Sequence, residues 1–207
     1  MKYGTWKISS YEPADARALC AAGFSPITAA LLCSRGYRDA GAAREFLSCS
    51  YPLSSPFALL DMDKAAARVK QALSRREHIA VFGDYDVDGI TATCLLTEYL
   101  RSKGGHVTSY IPARLEEGYG LNPIAIDTLK KQGVELIVTV DCGITANHEA
   151  ALCRELGIDL VITDHHECKS ELPQAIALVD PHRKDQPQPV TEMAVSYTHL
   201  RAHETEL

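Results

Sequence analysis

From residue 78 onward, short apolar runs alternate with amphipathic stretches, and no other feature of this chain constrains its fold as strongly. His78–Phe82, His106–Ile111, Glu135–Val140, Ile158–Ile162 and Ala175–Val179 have the length and residue types of strands. Ile90–Lys103, Asn122–Gln132 and Thr145–Leu156 carry helical spacing between them. This alternation predicts an α/β fold, a mostly parallel sheet flanked by helices on both faces.

The residues before it read as short helices. Ser25-Pro26 opens one that runs to about Arg35 and stops at Gly36, and Asp39 caps another through Leu47. A Pro/Ser connector, Tyr51-Pro52-Leu53-Ser54-Ser55-Pro56, leads to a helix from Asp61 to about Arg76. Met62, Ala66, Val69 and Leu73 share one face of it. The expected layout is a helical N-terminal region over 1–60 and an α/β domain over 61–194.

The first strand runs directly into Val81-Phe82-Gly83-Asp84-Tyr85-Asp86-Val87-Asp88-Gly89. Aspartates on alternate residues repel one another unless a cation sits between them, and hard ions such as Mg²⁺ and Mn²⁺ prefer carboxylate oxygen. An EF-hand is the wrong pattern: counted from Asp84, position 12 is Leu95 rather than Glu, and the run follows a strand. A solvated acidic turn is the bland alternative. Two further strands end in the same way. Leu136–Val140 leads to Asp141, and Leu160–Thr163 leads to Asp164-His165-His166. Ligands of open α/β sheets bind beyond the carboxyl ends of the strands, so parallel strands would gather these groups along one edge. Caps of the following helices are the plainer role for Asp141 and Asp164.

Gly89 and Gly143 read as turn glycines. Cys142 sits among oxygen donors that favour a hard ion, so core packing suits its sulfur better than ligation. Arg114, after the second strand, is a candidate phosphate clamp, and Tyr119 a candidate stacking platform for a base. An ordinary surface loop explains both equally well. Arg183-Lys184 is a further candidate phosphate contact, while His78 and His106, at the heads of strands, read as structural.

Composition adds limits. The net charge of −6 does not advertise a nucleic-acid binder, although a metal site itself concentrates acid and leaves the partner open. The seven cysteines are odd in number and form no C-x-x-C, which suits a reducing compartment and argues against a zinc site. The chain shows no apolar run of membrane-spanning length and no signal-peptide core at its start, so no membrane is expected and a cytoplasmic location is the default.

Asp84-Tyr85-Asp86-Val87-Asp88-Gly89, Val140-Asp141-Cys142-Gly143 and Thr163-Asp164-His165-His166-Glu167 resemble the first three motifs of the DHH phosphoesterases. Within that family the chain is most similar to the bacterial single-strand-specific exonucleases. Supporting stretches are Leu60–Lys64, Gly89–Thr93, Tyr110–Arg114, Glu117–Asn122 and Asp180–Arg183.

The resemblance implies one or two Mn²⁺ or Mg²⁺ ions held by Asp84, Asp86, Asp88, Asp141 and His165, with Asp141 bridging. It makes Asp164 and His166 catalytic: Asp164 orients His165, and His166 faces the scissile phosphate as donor or general acid. It implies 5′→3′ hydrolysis of single-stranded DNA in repair and recombination. The implied partners are a single-strand-binding protein and a helicase, and the implied state is a monomer. Alternatives are an enzyme for oligonucleotides, cyclic dinucleotides or pyrophosphate, and a non-catalytic replication scaffold of the same fold. The family's fourth motif and smaller substrate-gripping domain find no counterpart here. Residues 195–207 do not resemble the family, so a truncated frame with a non-native tail and a weakened site is expected. His199 and His203, spaced i,i+4 in that tail, are discounted as a metal site.

Overall fold

The structure, a computed structural model, describes residues 9–48, 55–113, 118 and 120–187. It divides into two compact units, Met1–Ser54 and Ser55–Leu207.

The first unit holds three helices, α1 (Pro13–Ala21), α2 (Pro26–Ser34) and α3 (Ala40–Ser48). Local chemistry sets their starts. The Ser25 hydroxyl accepts from Thr28 N–H with Pro26 at the first helical position, and Asp39 Oδ1 accepts from Ala42 N–H. Leu19, Ala29, Leu32, Cys33 and Ala43 form its core.

The second unit runs α4 (Met62–Arg75), β1 (His78–Gly83), α5 (Val87–Ser102), β2 (His106–Tyr110), α6 (Pro123–Lys131), β3 (Leu136–Val140), α7 (Asn147–Glu155), β4 (Asp159–Thr163) and β5 (Ala177–Val179). The strands lie in the order β2-β1-β3-β4-β5, and every pair is parallel. Period-two alternation splits the core between the two faces. Ile79, Val81, Val107, Val138, Val140 and Val161 pack with α4 and α5, whereas Ala80, Phe82, Ile137, Leu160 and Ile162 pack with α6 and α7. Both faces are covered, which is why β1, β3 and β4 read as nearly continuous apolar runs.

Three local differences from the sequence reading have physical causes. First, α5 begins at Val87 rather than Ile90, because Asp86 Oδ1 accepts from Gly89 N–H at 3.0 Å and caps the helix. Second, Asp61 stands at the head of α4 with φ +62° but makes no capping bond. Its carboxylate instead receives Lys64 Nζ, Arg183 Nη1 (2.7 Å) and Leu178 N–H (3.4 Å). Third, that partnership claims Arg183, which also donates to the Leu178 carbonyl and to Asp185. Arg183 therefore pins the turn after β5 onto the start of α4 and is not offered to a phosphate. Gln186 reinforces the same seam through Leu60 N–H and the Ala58 carbonyl.

Among the six described cysteines, Cys33, Cys142 and Cys153 are buried and Cys94 is exposed. Cys142 packs against the α6/α7 face, as its surroundings predicted. No described helix is long and apolar enough to cross a membrane.

Candidate metal and phosphoester site

The parallel order places the carboxyl ends of β1, β3 and β4 side by side, and Asp84, Asp141 and Asp164 each follow their strand by one residue. All three are buried, at 3%, 1% and 3% exposure, where an unpaired carboxylate is costly.

Gly89 explains how Asp84 is held. A Cβ at residue 89 would lie 2.5 Å from the Asp84 carbonyl oxygen and 2.6 Å from its nitrogen, so only glycine lets the first turn of α5 close over that backbone. Asp86 caps the helix from the same turn, and its bond from Gly89 holds its carboxyl below the ordinary range. Asp88 falls two residues further on. Alternate residues share a side in a strand but point about 200° apart on a helix. Asp88, expected beside Asp84 and Asp86, is accordingly not brought into either ligand group described below.

Asp141 is the most constrained member. Its backbone is left-handed, φ +63°, a conformation uncommon for a non-glycine residue. Neither side-chain oxygen accepts a well-oriented hydrogen bond, although His165 Nε2 lies 2.9 Å from Oδ1. Burial, and then the charge of Asp86, pushes Asp141 up to about 7. Gly143, at φ +110°, turns the chain back over Thr139 and directs Ile144 N–H at Asp164 Oδ2, 2.9 Å away.

Asp164 does something different from the expectation. Its Oδ1 accepts from His165 N–H (2.7 Å), His166 N–H (3.2 Å) and the His166 ring Nδ1 (2.7 Å). The imidazole it orients is therefore His166, while the ring of His165 turns to Asp141. The i,i+2 reach of an aspartate to a following N–H favours this choice, since the tight turn carries His166 back over the carboxylate. Burial works to raise Asp164, yet the bonds from His166, Ile144 and His165 outweigh it and hold it below its ordinary range. The same bond from Asp164 lifts His166 to about 9. The two rings meet edge to face, 5.0 Å between centroids.

Two sets of ligand atoms result, each within 4.8 Å of one another: Asp84, Asp86 and Asp141, and Asp141, His165 and His166. Asp141 belongs to both. Carboxylate oxygens and the His165 imidazole suit a hard or borderline divalent ion, whereas His166, bonded to Asp164, would have to lose its proton to ligate one. The Asp141 carboxylate, buried against Asp86 and the His165 ring without a well-oriented hydrogen bond, is the group such an ion would satisfy, so the residues present fit it.

Arg114 and Tyr119 lie outside the described residues, as do Cys49, His199, His203 and the whole of 195–207. Sequence reading placed Asp180 in the family-like stretch Asp180–Arg183 and gave it no role at the site. It follows the short strand β5 as directly as Asp141 follows β3, and it is fully buried. The rule that found the other aspartates, an apolar run leading straight into Asp, picks it out as well.

Comparison with known proteins agrees with the fold. Residues 78–206 match the model of the DHH family, N-terminal domain. The chain is 44% identical over 171 residues to the single-stranded-DNA-specific exonuclease RecJ of Bacillus subtilis, covering 82% of this chain and 22% of that protein. It is similar to a crystal structure of exonuclease RecJ bound to manganese, with TM-score 0.64, 35% identity and coverage of 74% of this chain and 40% of that one. RecJ of Thermus thermophilus in complex with Mn²⁺ gives TM-score 0.67 and 30% identity, over 95% of this chain and 28% of that one. The chain thus spans less than half the length of each of these relatives.

Proposed function

We propose, on the premise that this chain belongs to the DHH family, that its α/β unit is the metal-holding part of a 5′→3′ exonuclease for single-stranded DNA, serving repair and recombination. Residues 61–194 are the catalytic domain in this reading. The observation that carries it is the sharing of Asp141 between two ligand groups at the carboxyl edge of a parallel sheet. The RecJ proteins similar to this chain were solved with Mn²⁺, and their name states the substrate class.

Asp84, Asp86 and Asp141 would hold one ion, and Asp141 with His165 a second or an alternative position. Bound divalent ions lower the pKa of a coordinated water and offset the negative charge of the phosphodiester. The residues themselves do the rest. Gly89 and the α5 cap fix Asp84 and Asp86, and the left-handed turn at Asp141 sets its carboxylate against Asp86 and the His165 ring. Asp164 holds His166 by Nδ1, which leaves Nε2 as the nitrogen turned away from the carboxylate. With its side chain 46% exposed and its proton held near neutral pH, His166 is placed to donate to a phosphate oxygen or to the departing 3′ oxygen.

The test is release of nucleotides from 5′-labelled single-stranded and duplex DNA in Mn²⁺. Selective degradation of the single strand is expected, with Asp141→Ala and His165→Ala each lowering the rate about 100-fold or more. Wild-type rates in both variants would sink the assignment, and preferential turnover of a dinucleotide would move it to a small-substrate enzyme.

A further inference from the structure

The sheet register sets four aspartates at one level. Gly83 pairs with Val140, Val140 with Thr163, and Thr163 with Val179. The residues that follow these are Asp84, Asp141, Asp164 and Asp180, so four aspartates stand at the same level beyond β1, β3, β4 and β5. The site described above uses the first three and leaves Asp180 without a role.

Asp180 is the most buried of the row, at 0% exposure. Its Oδ1 accepts from His182 N–H at 2.7 Å and closes an Asx turn. Its Oδ2 is buried without a well-formed hydrogen bond among the described residues, the Cys168 thiol being the weak donor beside the carboxylate. Arg183, three residues on, is committed to Asp61 and Asp185. An asparagine would make the same turn without a charge, so the turn does not explain the carboxylate. Burial, and after the His182 bond the neighbouring charge of Asp164, push Asp180 up to about 6, while the Cys168 thiol beside it is raised to about 11. Burial opposes the charge, and the His182 bond offsets that opposition only in part.

We propose that Asp180 is the outer electrostatic member of the metal site: it strengthens the hold on a divalent cation at Asp141 through its field, without ligating it. This rests on the metal reading given above. Asp180 belongs to neither ligand group. It stands two strands from Asp141, and a strand spacing near 4.8 Å puts it at about 10 Å. Across that distance, at an effective dielectric between those of protein and bulk water, one negative charge and a divalent cation attract enough to change affinity by about tenfold.

Asp180→Asn separates this from a structural role, because it keeps the turn and removes the charge. Mn²⁺ titration calorimetry and thermal melting of the metal-free chain at pH 7.5 are the two readouts. The expected result is an Mn²⁺ Kd about tenfold weaker, with a metal-free Tm equal to or above that of the wild type. Asp180→Ala, which also loses the turn, is expected to melt lower. An unchanged Mn²⁺ affinity in Asp180→Asn overturns the proposal, and so does a lowered metal-free Tm in that variant. If the wild-type chain itself fails to bind Mn²⁺, the metal reading falls with it. Wild-type binding with an unaltered variant removes only the part assigned to Asp180.

Discussion

The two ends of the same sheet treat buried charge in opposite ways. At the amino ends of the strands, charge is paired. Arg68 of α4 donates to Glu77 Oε2 and to Asp159 Oδ2, each at 2.6 Å, and so ties one helix to the heads of β1 and β4. Only its Nη1 is left over. His78 is held at both ring nitrogens, by the Gln132 carbonyl (3.1 Å) and the Thr108 hydroxyl (2.8 Å), and stacks on His106. At the carboxyl ends, four aspartates are buried in a row; Asp164 is well bonded, but Asp141 and Asp180 keep buried oxygens without a well-formed hydrogen bond. Packing alone cannot produce that contrast, since both ends share the same strands and helices. The amino end is built for stability. The carboxyl end carries a cost that a bound cation would offset.

Removing the pairing should show the largest effect. Arg68→Ala leaves Glu77 with only the longer contact to Arg75 at 3.8 Å, and loss of the main partner from a buried pair costs up to about 3–5 kcal/mol. Most of that comes from Glu77, because the Asp159 side chain is 46% exposed and its arm is screened by solvent. Urea denaturation checks this, and a loss below about 1 kcal/mol would erase the distinction between the two ends. The opposite sign is expected at the carboxyl end. Asp141→Asn relieves a buried, repelled carboxylate and should stabilise the metal-free chain by about 1–2 kcal/mol while removing Mn²⁺ binding. A destabilised Asp141→Asn would mean that this carboxylate serves the fold after all.

A subtler variant sharpens what positions the row. Gly89→Ala drives a Cβ into the Asp84 backbone, a contact that flexible side chains cannot absorb. The start of α5 must shift, and about 1–3 kcal/mol of destabilisation is expected together with weaker Mn²⁺ binding. Equal stability with intact Mn²⁺ binding would show that the turn does not set the site.

How much of this was legible in the sequence depends on the scale of the feature. The strands and helices followed from periodicity because both faces of the sheet are covered, so apolar runs and amphipathic stretches carried unmixed signals. Asp84, Asp141 and Asp164 were legible because each directly follows a long apolar run. Asp180 was not singled out because β5 is only three residues long. Asp88 was grouped with Asp84 and Asp86 on a strand's alternate spacing, whereas the cap at Asp86 begins a helix before it. The choice of His166 over His165 as the partner of Asp164 lies in side-chain orientation, which spacing does not encode. Arg183 gave no local hint of its partner either, since Asp61 lies 122 residues away in sequence.

The smallest effect lies in the pH dependence, where the two ends should move against each other. Burial lowers the pKa of His78, with the stacked His106 adding to it, so the folded chain favours the neutral ring. The unfolded ring titrates near 6.5. Its contribution is therefore fully present above that pH and is lost as pH falls through the lower folded pKa. Asp141 works in the other sense: raised to about 7 when folded, it favours folding at acid pH and loses that contribution as pH rises from about 4 through 7. Between pH 7 and 5 the two partly cancel in the wild-type chain. In chelator, the difference in unfolding free energy between wild type and His78→Gln should shrink on acidification. Asp141→Asn should lose stability on acidification more steeply than the wild type, because the carboxyl end keeps only the weaker opposing response of Asp180. Parallel curves for all three proteins would show that neither end is coupled to protons, and the contrast between a paired and an unpaired edge would then rest on geometry alone.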